Sequence, residues 1–126
     1  MPVSLDGLTI MVVEDDFLAA LELRRLVEER AGKVAGPVGR LEQAQQLARS
    51  EKLDGAILDV KLNGVDSLAL ADDLIAPEIP VILVTGYDVA SLPPRFAETP
   101  RLPKPFNESA FDRLAADLFV GDASPT

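Results

Sequence analysis

The sequence predicts an α/β fold with a parallel sheet covered by helices on both faces. Short apolar runs rich in β-branched residues alternate about five times with stretches whose apolar residues recur at helical spacing. The strand runs are continuously apolar rather than alternating, so both faces of the sheet are expected to be covered. Acids, a threonine and a lysine fall where those runs end, at the edge where open parallel sheets collect function.

Taken in order, Leu8 to Val13 is a buried strand that ends in Glu14-Asp15-Asp16. A helix follows from about Phe17 to Arg30 and is ended by Gly32, with Ala19, Leu23, Leu26 and Val27 as its core face. Lys33 to Val38 is a weak strand, diluted by Gly36 and Pro37. Leu41, Ala44, Leu47 and Ala48 mark a second helix. Gly55 to Leu58 is a third strand that delivers Asp59, and Asn63-Gly64 is a turn signal. Asp66 then caps a helix carrying Leu68, Leu70, Ala71, Leu74 and Ile75. Val81 to Val84 is the strongest strand and delivers Thr85-Gly86. Pro93-Pro94 keeps any helix between Tyr87 and Thr99 short or broken. Arg101 to Pro103 is a stub of strand. Asn107 starts a last helix with Phe111, Leu114, Ala115 and Leu118 on one face.

Composition narrows the chemistry. The 126 residues suit one domain. With no cysteine and no histidine, thiolate and imidazole chemistry are excluded, including His-ligated zinc and Ser-His-Asp catalysis. Twelve basic and 21 acidic residues give a net charge of −9, which disfavours direct nucleic-acid binding. No apolar stretch reaches the roughly 20 residues of a membrane span, and no signal peptide starts the chain, so a cytoplasmic protein without membrane contact is expected.

The strand ends carry the remaining candidates. Acids gathered in one pocket repel each other, and a divalent cation with hard oxygen ligands, Mg²⁺ in character, relieves that repulsion. The bland alternative is that Glu14-Asp15-Asp16 only caps the next helix. Asp59 sits where a carboxylate nucleophile could form an acyl phosphate; alone it reads first as a solvated strand-end acid. Thr85 is placed to donate to a phosphoryl oxygen, Gly86 leaves room for that group, and Lys104 is placed to pair with Asp59. Pro105 permits a cis Lys104–Pro105 bond. The order is more specific than any member: acids after the first strand, Asp after the third, Thr-Gly after the fourth, Lys-Pro after the fifth.

On Val12-Val13-Glu14-Asp15, Ile57-Leu58-Asp59-Val60, Val84-Thr85-Gly86 and Lys104-Pro105-Phe106, the chain resembles the receiver domain of bacterial two-component response regulators. The resemblance spans about Leu8 to Phe119. It implies a doubly wound, flavodoxin-like five-stranded sheet of order 2-1-3-4-5 with a short or irregular fourth helix. It also implies a single receiver domain over residues 1–126 with no output domain. The implied function is phosphoryl acceptance on Asp59 from a sensor histidine kinase or phosphotransfer protein, and signalling by phosphorelay or by binding a downstream protein, unidentified here. Implied ligands of Mg²⁺ (or Mn²⁺) are Asp15, Asp59, Glu14 through water and the backbone carbonyl of Lys61; Asp16 is a helix-start residue. Thr85 would bond the phosphoryl group and Lys104 neutralise it. The domain would be a phosphoacceptor rather than an enzyme, while promoting its own phosphorylation and dephosphorylation.

The pattern also departs from that family. Receivers usually carry proline four residues after the acceptor and glycine eight after; here these are Asn63 and Ser67. The usual aromatic switch position is Arg101, whereas Val84-Thr85-Gly86-Tyr87 resembles FATGUY-type receivers, with Gly86, Tyr87 and Arg101 as switch or tuning residues. On the first helix, Phe17, Leu18 and Leu21 fall away from the core beside Arg25 and suggest a kinase-docking patch. A haloacid-dehalogenase-like phosphatase is disfavoured because Lys61 stands where that family has a second acid. A binding module with a vestigial site is the other alternative.

Overall fold

The computed structural model describes residues 2–86 and 92–120. Its elements are β1 (Thr9–Val13), α1 (Phe17–Glu29), β2 (Lys33–Val38), α2 (Leu41–Ser50), β3 (Gly55–Asp59), β4 (Lys61–Leu62), β5 (Val65–Asp66), α3 (Leu68–Ile75), β6 (Val81–Thr85), β7 (Arg101–Pro103) and α4 (Glu108–Leu118). The main sheet is parallel with order β2-β1-β3-β6-β7, which is order 2-1-3-4-5 of its five strands. β4 and β5 form a separate antiparallel hairpin, of which the sequence signalled only the turn.

Alternation along each strand divides the apolar residues between two faces. Ile10, Val12, Ile57, Ile82 and Val84 pack with Leu23, Leu26 and Val27 of α1 and with Phe111 and Ala115 of α4. Met11, Val13, Ala56, Leu58 and Leu83 pack on the other face with Ala44 of α2 and with Leu70, Ala71 and Leu74 of α3. This two-sided burial is why the strands read as apolar runs. One register position on α1 differs from expectation: Ala20 is buried and Ala19 is half-buried, because the face at i, i+3 and i+7 runs through Ala20, Leu23 and Val27.

Helix ends follow local chemistry. The Asp16 carboxylate accepts from Leu18 N and caps α1, and the Asn107 side chain accepts from Ala110 N and caps α4. Beyond α1 the left-handed residue is Ala31 (φ 68°). Gly32 matters for space: a Cβ there would lie 2.8 Å from Val27 Cγ1. Ser67 holds the N-cap position of α3, and the Asp66 carboxylate accepts from Leu68 N at 2.6 Å from one residue further out. Among the described residues between β6 and β7, the helical structure is a 3₁₀ turn over Pro94–Phe96 that seats a buried Phe96. Tyr87 and its neighbours to residue 91 lie outside the described residues.

α1 and α4 are joined by charge as well as by apolar packing. The Arg30 guanidinium is buried, donates to both Asp112 carboxylate oxygens, to Glu108 and to the Leu26 carbonyl, and lies 5.3 Å from the Phe111 ring centroid. Arg25 donates to Glu22, Glu29 and the same Glu108. No described helix is long and apolar enough to cross a membrane.

At the start of β3, Gly55 leaves room for the Phe119 ring, which the first atom of any side chain would strike. Gly55→Ala is therefore expected to cost about 1–3 kcal/mol through overpacking, read as a lower urea midpoint at unchanged slope.

Candidate functional site

Parallel register sets the site. Val13 pairs with Leu58, so the next residues, Glu14 and Asp59, leave adjacent strands side by side. Asp59 pairs with Val84, which places Thr85 one residue past Asp59 on the other side. Thr85 pairs with Pro103 and its carbonyl accepts from Lys104 N at 3.0 Å. Thus the four expected strand ends converge on one edge.

Glu14, Asp15 and Asp59 present carboxylate oxygens that all lie within 4.8 Å of one another. Lys104 reaches the acids from the end of β7, and its bond to Pro105 is cis. Its Nζ is 3.4 Å from Asp59 Oδ2, 3.1 Å from Glu14 Oε2 and 3.0 Å from Glu14 Oε1. Asp59 Oδ1 accepts from Lys61 N at 3.1 Å, and Glu14 Oε2 also accepts from Asp16 N at 3.0 Å. The lysine's hydrogen bond goes to Oε2, so the buried Glu14 Oε1 has no hydrogen-bond partner.

Two of the three carboxylates, Glu14 and Asp59, thus share one lysine. Burial and the adjoining Asp59 carboxylate push the Glu14 carboxyl up to about 7, against the opposing effect of Asp16 N and Lys104. Burial works against the charge on Lys104, but its bond to Glu14 and the fields of Glu14 and Asp59 win, and its pKa is raised. Three carboxylates gathered this closely, two of them buried, fit a small hard divalent cation such as Mg²⁺ or Mn²⁺.

The remaining candidates are placed as follows. Thr85 and Gly86 are half-buried at the end of β6. Lys61 is exposed and contributes its N–H to Asp59. Arg101 is exposed on β7, with Nη2 donating to the Phe96 carbonyl at 3.4 Å. Phe17, Leu18 and Leu21 are 73, 72 and 43% exposed. Arg25 is turned into its cluster of glutamates.

Two residues that sequence reasoning did not assign also touch the site. The buried Ser67 hydroxyl donates to the Asp59 carbonyl at 2.5 Å, with the Val60 carbonyl at 3.1 Å. Asn63 N donates to Asp15 Oδ2 at 2.8 Å. The Asn63-Gly64 pair between apolar Leu62 and Val65 was a hairpin signal in its own right.

Residues 10–112 match the family described as response regulator receiver domain. The chain belongs to that family. A receiver domain of this kind undergoes autophosphorylation and autodephosphorylation rather than acting as a conventional enzyme. SdrG from Sphingomonas melonis Fr1 is 33% identical, with a TM-score of 0.80 over 86% of this chain and 93% of that one. The BeF3-activated conformation of SdrG from Pseudomonas melonis Fr1 aligns at 32% identity and a TM-score of 0.73, over 86 and 92% of the two chains. The receiver domain of the response regulator PhyR from Erythrobacter litoralis is 26% identical, with a TM-score of 0.81 over 96% of each chain. The transcriptional regulatory protein PdtaR of Mycobacterium tuberculosis is 27% identical over 104 residues, 79% of this receiver; the match spans 51% of PdtaR.

The raised Glu14 carboxyl has a thermodynamic signature. Its folded pKa of about 7 exceeds the ordinary 4.5, so the stability gained from holding that proton is present below pH 4.5 and lost as pH rises through 7. The chain has no histidine, and the carboxylates of Glu22, Glu108 and Asp112, all held low by arginines, are ionised throughout that window. Metal-free protein is expected to lose melting temperature between pH 5 and pH 8, and Mg²⁺ to restore it more at pH 8 than at pH 5. A flat metal-free profile in differential scanning fluorimetry would contradict the burial argument.

Proposed function

We propose that this receiver accepts a phosphoryl group on Asp59 from the phosphohistidine of a sensor histidine kinase or phosphotransfer protein. The observation that carries the reading is the convergence of Glu14, Asp15 and Asp59 with Lys104 bridging two of them. Asp15, Asp59, the Lys61 carbonyl and, through water, Glu14 would hold Mg²⁺ or Mn²⁺. When bound, the cation supplies charge neutralisation to the phosphoryl oxygens during in-line transfer.

The chain's own groups do the rest. Lys61 N–H and Lys104 hold the two Asp59 oxygens, which limits the carboxylate's rotation. An Asp59 oxygen bonds to phosphorus as the phosphorus–nitrogen bond breaks, and the imidazole leaves with its electron pair. Lys104 then faces the added charge, and Thr85 offers its hydroxyl to a phosphoryl oxygen. Gly86 leaves space, while Tyr87 and Arg101 tune the switch, as in FATGUY-type receivers. The BeF3-activated conformation of the similar SdrG supports such chemistry, and the overlap with nearly all of SdrG supports signalling by the receiver unit itself through a downstream protein or a relay.

The kinase would dock on Phe17, Leu18 and Leu21, exposed apolar residues at the same end of the molecule as the site. Beside them a concavity of about 410 Å³ is lined by Leu18, Ala19, Glu22, Lys104, Pro105 and Phe106, which brings a docked helix next to the site lysine.

Incubation with Mg²⁺ and a small phosphodonor is expected to add one acid-stable, base-labile phosphoryl group per chain, and Asp59→Asn to abolish it. Absence of label with every donor overturns the reading. Phe17→Ala and Leu21→Ala are expected to slow transfer from a phosphorylated kinase roughly tenfold or more, the scale of losing anchor residues. Labelling by the small donor and the melting temperature should stay unchanged. Equal kinase rates in variants and parent remove this surface from the docking role.

A further inference from the structure

Four residues after Asp59, where receivers usually carry proline, this chain has Asn63. Proline has no backbone N–H. Here that N–H is in use, donating to Asp15 Oδ2 at 2.8 Å. The turn makes the donor available: Asn63 (φ 51°) and Gly64 (φ 80°) are both left-handed, as a two-residue hairpin between paired Leu62 and Val65 requires. The Asn63 side chain adds a second tie, donating from Nδ2 to the Gly39 carbonyl at 3.2 Å. Gly39 itself lies against the site; a Cβ there would be 3.2 Å from Asp15 Cα and 3.3 Å from the Glu14 carbonyl oxygen. Three loops therefore meet at Asp15: those following β1 and β2, and the β4–β5 tip.

The other two carboxylates are already held. Glu14 is buried and fixed by Asp16 N and Lys104, and Asp59 is fixed by Lys61 N and Lys104. Asp15 is exposed and has no ion pair among the described residues. A free carboxylate loses rotamer freedom when it binds a cation, and a fixed donor removes that cost beforehand. One oxygen accepting a hydrogen bond leaves the other oxygen and further lone pairs for a metal. At its base the same hairpin is tied to the acceptor strand, because the Ser67 hydroxyl donates to the Asp59 carbonyl.

We propose that Asn63 is a positioning residue for the divalent cation: its backbone N–H orients the Asp15 carboxylate, so that cation binding and docking of the β4–β5 hairpin reinforce each other. The proposal rests on the cation reading of Glu14, Asp15 and Asp59. Coupling of this kind is reciprocal, so bound cation holds the hairpin down as the hairpin holds the ligand.

The test is Mg²⁺ binding by the unphosphorylated protein, measured by calorimetry and by titration of ¹⁵N-labelled protein. Asn63→Pro removes the donor together with the left-handed turn that presents it and is expected to weaken Mg²⁺ about tenfold, whereas Asn63→Gly keeps both and stays within about threefold of the parent. In the parent, the Asn63 amide should shift with the same dissociation constant as Lys61 and exchange more slowly once Mg²⁺ is bound. This reading needs no variant to fold. Parent-like affinity in Asn63→Pro, affinity in Asn63→Gly as weak as in Asn63→Pro, or an Asn63 amide indifferent to saturating Mg²⁺ each overturns the positioning role. No Mg²⁺ binding by the parent overturns the cation reading itself, and is distinguished by leaving every amide of the site unmoved.

Discussion

Three crowded carboxylates, two of them sharing one lysine, are the constraint that the rest of this receiver serves. Such a cluster is unfavourable on its own, because like charges at this spacing repel and burial removes the water that would screen them. The chain responds locally by holding a proton on Glu14 more firmly and by keeping Lys104 charged between two acids. Globally it responds with two apolar layers that fix the strand ends whatever the acids prefer. The stability resides in those layers, and the site draws on it, as functional clusters commonly do.

Much of this was legible in the sequence, for identifiable reasons. Strands buried on both faces leave uninterrupted apolar runs, and the residue after each run marks the edge of the sheet. That sufficed to bring Glu14, Asp15, Asp59, Thr85 and Lys104 to one edge. The last helix declared itself through Phe111 and Ala115 at helical spacing. The misplacement of Ala19 for Ala20 came from choosing between adjacent alanines, where periodicity carries little weight. Other features depend on partners distant in sequence. Arg30 reads as a surface residue near a helix end, yet it is buried, because Asp112 and Glu108 come to it from 82 and 78 residues away. Ser67 reads as a loop serine, yet its hydroxyl finds the carbonyl of Asp59. The cis Gly36–Pro37 bond had no local signal beyond the proline itself.

Glu14, Asp15, Asp59, Thr85 and Lys104 follow the receiver pattern, whereas the departures gather on the segments that surround them. Asn63 and Ser67 reshape the loop after Asp59 into a hairpin. Pro94–Phe96 forms a 3₁₀ turn around a buried ring. Arg101 replaces an aromatic position and reaches that turn through the Phe96 carbonyl. The acid cluster and the segments around it are thus carried by different stretches of chain, and one can vary while the other is kept.

The Arg30 cluster also involves residues that precede the sheet. Val3 N donates to Asp112, Leu5 N donates to the Arg30 carbonyl, and the Leu5 side chain is fully buried beside α1 and α4. The segment ahead of β1 is therefore a structural plug. Anyone preparing shortened or tagged forms of this protein would do well to leave Val3 to Leu5 in place, since trimming them would uncap a buried guanidinium's neighbours and open the apolar layer from one end.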